Sequence, residues 1–155
     1  GCGVLYGREE GLDRLWPCVA GSGWDNAKEL HGARFMMIGT NGRSTIDGMM
    51  AGLRFIEAIG EAEIYERLHQ LARIAVSEVQ RRNYVELVTP NDSRMFQAMV
   101  TIRFKPSDLT ALGAAMKKRN ILALVGPRCR LWFHIHTRPS DIHRFFEVCD
   151  EVLGG

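Results

Sequence analysis

A chain of 155 residues with 46% hydrophobic and 25% charged side chains has the make-up of a folded globular protein, not of a disordered or fibrous one. Twenty basic against eighteen acidic residues leave a net charge of +2, and the basic clusters (Arg81-Arg82, Lys117 to Arg119, Arg128 with Arg130) are short and scattered, which disfavours a nucleic-acid partner. No run approaches the ~20 apolar residues of a membrane span, so no membrane partner is expected.

The four cysteines, Cys2, Cys18, Cys129 and Cys149, form no C-x-x-C pair. They are expected as reduced, mostly buried thiols of a cytoplasmic protein. The chain begins at Gly1 and its first residues already look like the lead-in to a strand, so a fragment or processed chain is expected. Val4-Leu5-Tyr6-Gly7 reads as that short strand. The loop from Leu15 to Trp24 is glycine-rich but carries two tryptophans, which should tie it to something apolar.

The stretch from Phe35 to Gly52 draws the eye first. An apolar run, Phe35 to Ile38, stops at Gly39-Thr40; Asn41-Gly42-Arg43 turns the chain; Ser44-x-x-Asp47 has the capping-box spacing of a helix start. A strand, a hydroxyl-bearing glycine turn and a helix N-terminus together suit an anion, because free backbone N–H groups and the positive helix end point the same way. Most turns of this kind are helix caps and nothing more. The helix runs over Ser44–Ile59, with Ile46, Met49, Met50, Leu53 and Ile56 on one stripe, and Gly60 stops it. A second helix, Ala62–Arg82, carries Ile64, Leu68, Leu71, Ala75 and Val79. Its length suits a link between two domains.

From Tyr84 onward the pattern is of strands. Tyr84–Val88 is followed by a turn, and Phe96–Phe104 alternates, with Phe96, Ala98, Val100, Ile102 and Phe104 on one face. A helix follows Pro106-Ser107, Ile121–Val125 is a wholly apolar strand, and Gly126-Pro127 turns the chain. Arg130–His136 alternates again, with Leu131, Phe133 and Ile135 inward and Arg130, Trp132, His134 and His136 on the other face. A final helix carries Ile142, Phe145, Phe146, Cys149 and Val152. This half reads as a compact α+β unit.

Arg130 is a natural carboxylate partner, since its planar fork makes two parallel charge-assisted hydrogen bonds; the bland alternative is a sheet-edge ion pair. His134 and His136 have a spacing found at some metal sites, with Cys129, Asp141 or His143 available nearby, but no third ligand is specified and no metal site is assigned.

Three motifs in order resemble one family. Gly1-Cys2-Gly3-Val4-Leu5-Tyr6-Gly7-Arg8 is similar to the G-x-G-(F/V)-L-Y-x-R strand that follows the cofactor lysine in class V aminotransferases, the fold-type I pyridoxal-phosphate group that includes cysteine desulfurases and isopenicillin N epimerase. Arg34 to Asn41 resembles the family's (R/E)-x-G-T turn. Arg130 to Thr137, with Asp141-Ile142-His143-Arg144, resembles its R-x-S-x-x-x-Y-N-T-x-x-D-(I/V)-D-R ending, although Trp132, His136 and Thr137 stand at the Ser, Tyr and Asn positions.

The resemblance implies an α/β fold-type I fragment: residues 1–61 as the end of the large cofactor-binding domain, 62–83 as a linking helix, and 84–155 as a small α+β domain with an antiparallel sheet. It implies that Thr40, with Gly39 and Asn41, contacts the phosphate of pyridoxal 5'-phosphate, usually across a homodimer interface. Arg130 would hold the α-carboxylate of a small amino-acid substrate. The Schiff-base lysine is expected upstream of Gly1, so no catalytic residue is assigned here and the piece alone should be inactive. Desulfurase chemistry is disfavoured: the family's reactive cysteine sits on a long loop before the carboxylate arginine, and only Leu122–Cys129 fill that place, with Cys129 directly adjacent to Arg130. Aminotransferase-, epimerase- or lyase-like chemistry is expected instead. The alternative is a non-catalytic α+β ligand-binding or dimerisation module with Ser107–Leu153 as its core.

Overall fold

The computed structural model describes residues 3–21, 32, 35, 39 and 42–154. Its elements in chain order are α1 (Glu9–Leu12), α2 (Arg43–Ile59), α3 (Glu61–Gln80), β1 (Val85–Leu87), β2 (Met99–Phe104), α4 (Thr110–Lys118), β3 (Arg128–Trp132) and α5 (Pro139–Leu153). They belong to two compact units, Gly1–Ala58 and Ile59–Gly155.

In the first unit the expected strand at Val4–Gly7 does not form. Residues 3–8 are irregular, with Val4, Leu5 and Tyr6 exposed. A lone extended segment leaves its backbone groups to water unless another strand pairs with it. Trp16 is exposed as well, while the neighbouring Pro17 is buried. Phe35 is helical and donates its N–H to Gly32 O rather than starting a strand; residues 36–38 lie outside the described residues. Helix α2 begins one residue earlier than expected, so Ser44 sits inside its first turn. Asp47 does not close a capping box but accepts from Arg43 Nε at 3.0 Å. None of the α2 side chains is buried. Gly60 ends the helix at φ 103, a backbone that side-chain-bearing residues rarely adopt.

The second unit is a three-stranded antiparallel sheet, order β1-β2-β3, with helices over one face. In β1–β2, Glu86 lies opposite Arg103, and their side chains form a cross-strand ion pair at 2.8 Å. In β2–β3, Ile102 lies opposite Cys129 and Thr101 opposite Arg130. The inward set, Val100, Ile102, Phe104 and Cys129, is buried. Helix α3 closes over it with Leu71, Ala72, Ala75, Val76 and Val79, one face of a 3.6-residue period. The stretch expected as a linking helix therefore supplies, in its C-terminal half, a wall of the second unit's core. From the other side α5 adds Ile142, Phe145, Phe146, Val148 and Cys149.

The apolar run Ile121–Val125 is not a strand. Asn120, at φ 56, turns the chain sharply after α4, and Ile121 donates back to Met116 O at 2.9 Å. The run then lies extended without joining the sheet. Its alternation survives: Ile121, Ala123 and Val125 pack on the core, while Leu122 and Leu124 face water. Strand β3 also stops at Trp132 and not at His136, because residues 135–136 turn and Thr137 N–H bonds His134 O.

A charged clamp ties α3, β1 and α5 together. Arg82 grips Asp150 with two bonds, Nε to Oδ1 at 2.7 Å and NH2 to Oδ2 at 2.6 Å. Its third nitrogen reaches Glu78 Oε2 at 2.7 Å, and the guanidinium lies 4.9 Å from the ring centre of Phe146. Tyr84 donates its hydroxyl to Asp150 Oδ1 at 2.6 Å. Glu78, a carboxylate only 5% exposed, is also met by Arg81 at 3.0 Å. The Arg82 hydrogen bonds hold the Asp150 carboxyl below the usual carboxylate range, and burial together with Asp150 pushes the Tyr84 phenol up.

Two stability measurements follow. Phe146→Ala, at a fully buried site, should cost about 3–5 kcal/mol in denaturant unfolding of the protein. Because Asp150 has a lowered folded-state pKa, its contribution is fully present above the unfolded value of ~3.9 and is lost as pH falls through the folded value. Asp150→Asn should therefore flatten the acid limb of the stability–pH curve, and an unchanged limb would contradict the clamp.

Candidate functional site

Arg130 stands in the middle of β3, and the period-two geometry of a strand puts it on the face opposite Cys129. It is exposed, and among the described residues its guanidinium has no hydrogen-bond or ion-pair partner. The sheet-edge ion pair that would have made it ordinary is absent there. Its neighbours show what a paired arginine looks like here: Arg103 holds Glu86 and Arg119 holds Glu151 at 2.7 Å.

Arg130 lines a cleft of about 580 Å³. Residues 121–124 form one wall, Leu131 to Phe133 another, and Thr137, Asp141, Ile142 and Phe145 at the start of α5 the third. The cleft exists because the 121–125 run passes β3 without pairing to it. Asp141 is the one acid among these residues, and it is already engaged. It accepts from the Arg138 backbone N–H at 2.9 Å and faces the Arg138 guanidinium at 3.4 Å. Those contacts, the backbone bond first, hold its carboxyl below the usual range. Arg130 is thus the uncompensated charge of the cleft.

His134 and His136 stack, ring centres 4.9 Å apart, in the turn after β3. No group of three metal-ligating side chains exists among the described residues. Cys129 is 1% exposed and burial pushes its thiol up; burial carries the Cys149 thiol up to about 12. Cys18, by contrast, is exposed.

Of the anion turn, Thr40 and Asn41 lie outside the described residues. Gly39 is exposed at φ 155 with open space where a Cβ would stand, and the first turn of α2 follows at Arg43. Thr45 N–H is taken by Gly42 O, which leaves the earlier N–H groups of the helix start for an outside acceptor. A glycine with this backbone and a helix N-terminus make a donor set whose chemistry fits a phosphate, while Arg43 Nε is already bonded to Asp47.

The Aminotransferase class-V family model matches residues 1–145. The chain belongs to the class V aminotransferase family. Solved structures agree on the fold. The apo cysteine desulfurase from Thermococcus onnurineus superposes with a TM-score of 0.77 at 21% identity, over 97% of this chain and 42% of that one. A variant of C-DES with glycine covalently linked to its PLP cofactor superposes at 0.73, 19% identical, over 94% and 40%. The cysteine desulfurase CsdA from Escherichia coli superposes at 0.71, 14% identical, over 96% and 41%. The chain thus spans about two fifths of the length of these structures, and it has the fold of type I pyridoxal-phosphate enzymes. Pyridoxal phosphate is the cofactor of the class V family. At these identities the likeness concerns the fold alone, and the neighbours' desulfurase descriptions sit against the expectation that desulfurases are disfavoured.

Arg130, at the family's arginine position, is exposed and has no hydrogen-bond or ion-pair partner among the described residues. The leucines of the cleft were missed in the sequence. An apolar run reads as a buried strand, and only tertiary packing shows that half of it faces out. Thiol labelling checks the burial: Cys18 should react quickly with a thiol reagent in the native protein, and Cys129 and Cys149 only on unfolding. Rapid native labelling of Cys129 would contradict the strand register.

Proposed function

We propose that the chain is part of a homodimeric, cytoplasmic enzyme that acts at the Cα or amino group of an amino acid with pyridoxal phosphate. The observation that carries this reading is the guanidinium of Arg130, without a partner among the described residues, on an exposed strand face of a class V family member. When bound, the cofactor supplies an electron sink for charge developing at Cα. Arg130 accepts no proton and forms no bond in the chemistry. It would grip the α-carboxylate with two parallel hydrogen bonds and so orient the substrate. Thr40, with Gly39 and Asn41, would hold the cofactor phosphate, that of the partner subunit. These roles rest on the family motifs and on the donor chemistry of the α2 start.

Sulfur transfer through a cysteine beside Arg130 is not supported, since Cys129 faces the core and burial pushes its thiol up. Transamination, epimerisation or lyase chemistry needs no such cysteine, and we favour that group.

Kinetics of the cofactor-loaded enzyme separate the roles. Arg130→Ala should raise KM for amino acids by roughly 30-fold or more, as expected for losing charge-assisted bonds worth ~2 kcal/mol, and should leave amines without a carboxylate nearly unchanged. Equal effects on both would remove Arg130 from the carboxylate. Thr40→Ala should weaken cofactor binding by roughly tenfold, about the worth of one hydrogen bond to an anion. An unchanged cofactor dissociation constant would contradict the phosphate contact.

A further inference from the structure

We propose that the cleft beside Arg130 receives the side chain of the substrate, and that this side chain is a large aliphatic or aromatic one. The proposal rests on the carboxylate role of Arg130 and names the substrate class for the same site.

Three observations carry it. First, the walls are apolar where they are most exposed: Leu122 is fully exposed, Leu124 is 88% exposed and Trp132 74%. All three line the cleft with Arg130. Isolated exposed leucines are ordinary, but three large apolar side chains around one concavity are not. Second, the charge pattern is that of an amphiphilic anion. One free cation stands among these apolar walls, while the cleft's one carboxylate, Asp141, is compensated by Arg138. A ligand with a carboxylate at one end and an apolar group at the other satisfies both features at once. A small polar amino acid would satisfy Arg130 and leave the leucines and Trp132 in water. Third, about 580 Å³ falls within the roughly 300–1,000 Å³ of small-molecule sites. A concavity of that volume, with one cation among apolar walls, is assigned to a metabolite.

The arrangement has a structural cause. Had Ile121–Val125 paired with β3, the cleft would be filled by sheet and Leu122 and Leu124 would have sheet neighbours. Its failure to pair leaves a gap lined by the core side of the run (Ile121, Ala123) and by its exposed side (Leu122, Leu124).

Titration calorimetry of the full-length, cofactor-loaded enzyme tests this without relying on turnover. The ligands are 3-phenylpropanoate, propanoate and 3-phenylpropanamide. The phenyl acid should bind at least about tenfold tighter than propanoate, equivalent to ~1.4 kcal/mol. The double variant Leu122→Ser, Leu124→Ser changes only exposed side chains. It should lose most of that tenfold advantage and bind propanoate as before. Arg130→Gln should weaken both acids and leave the amide unchanged. Equal affinity for the two acids, or a phenyl advantage that survives the double serine variant, would overturn the side-chain assignment while leaving the carboxylate role of Arg130 intact. Acids that bind Arg130→Gln undiminished would overturn the carboxylate role, and the substrate assignment with it.

Discussion

Pairing of Met99–Phe104 with Arg128–Trp132 sets Ile102 opposite Cys129 and Thr101 opposite Arg130. Every consequence for chemistry passes through that register. Side chains alternate across a sheet, so the residue that follows a core cysteine must face outward. A slip of one residue would turn the guanidinium into the core and expose the thiol. Burying an unpaired guanidinium is expensive enough to exclude that register. The same alternation that makes Cys129 inert makes Arg130 available. The contrast between a thiol pushed up by desolvation and a free cation beside it is one fact seen from two faces of the sheet.

The helices keep the register in place. Helix α3 and helix α5 press on the inner face, and Arg82 locks their C-terminal halves through Glu78 and Asp150. This clamp is more than a surface pair. Glu78 is nearly buried, so its charge is tolerated only because arginines meet it, and the Tyr84 hydroxyl brings β1 into the same network. The site depends on this rigidity indirectly: a carboxylate-orienting arginine is useful only if its strand does not move.

Much of this could be read from the residues alone. The alternation of Val100, Ile102 and Phe104, the stripe of α3 and the inward residues of α5 are strong periodic patterns; the folded chain buries the first set, the α3 stripe from Leu71 onward and the α5 set up to Cys149, and leaves Ile64, Leu68 and Val152 half-buried. The outward face of Arg130 and Trp132 was equally legible. What failed has physical causes. Val4–Gly7 and Ile121–Val125 have strand composition, but a strand needs a partner, and pairing is a tertiary event that local sequence does not encode. The α2 stripe was periodic too, yet none of its side chains is buried: periodicity marks a face and not what covers it. Ser44 and Asp47 had capping-box spacing, and a one-residue shift of the helix start, with Arg43 competing for the carboxylate, undid it. The cleft was invisible because it arises from two segments that fail to meet.

The central claim is that Arg130 binds the carboxylate of an amino acid. A crystal structure of the cofactor-loaded enzyme with glycine bound tests it most directly, since glycine has no side chain to bias the pose. The account predicts both carboxylate oxygens within the ~2.7–2.9 Å of a charge-assisted pair from the Arg130 guanidinium. A glycine carboxylate held by other residues, with Arg130 left in solvent, would contradict it.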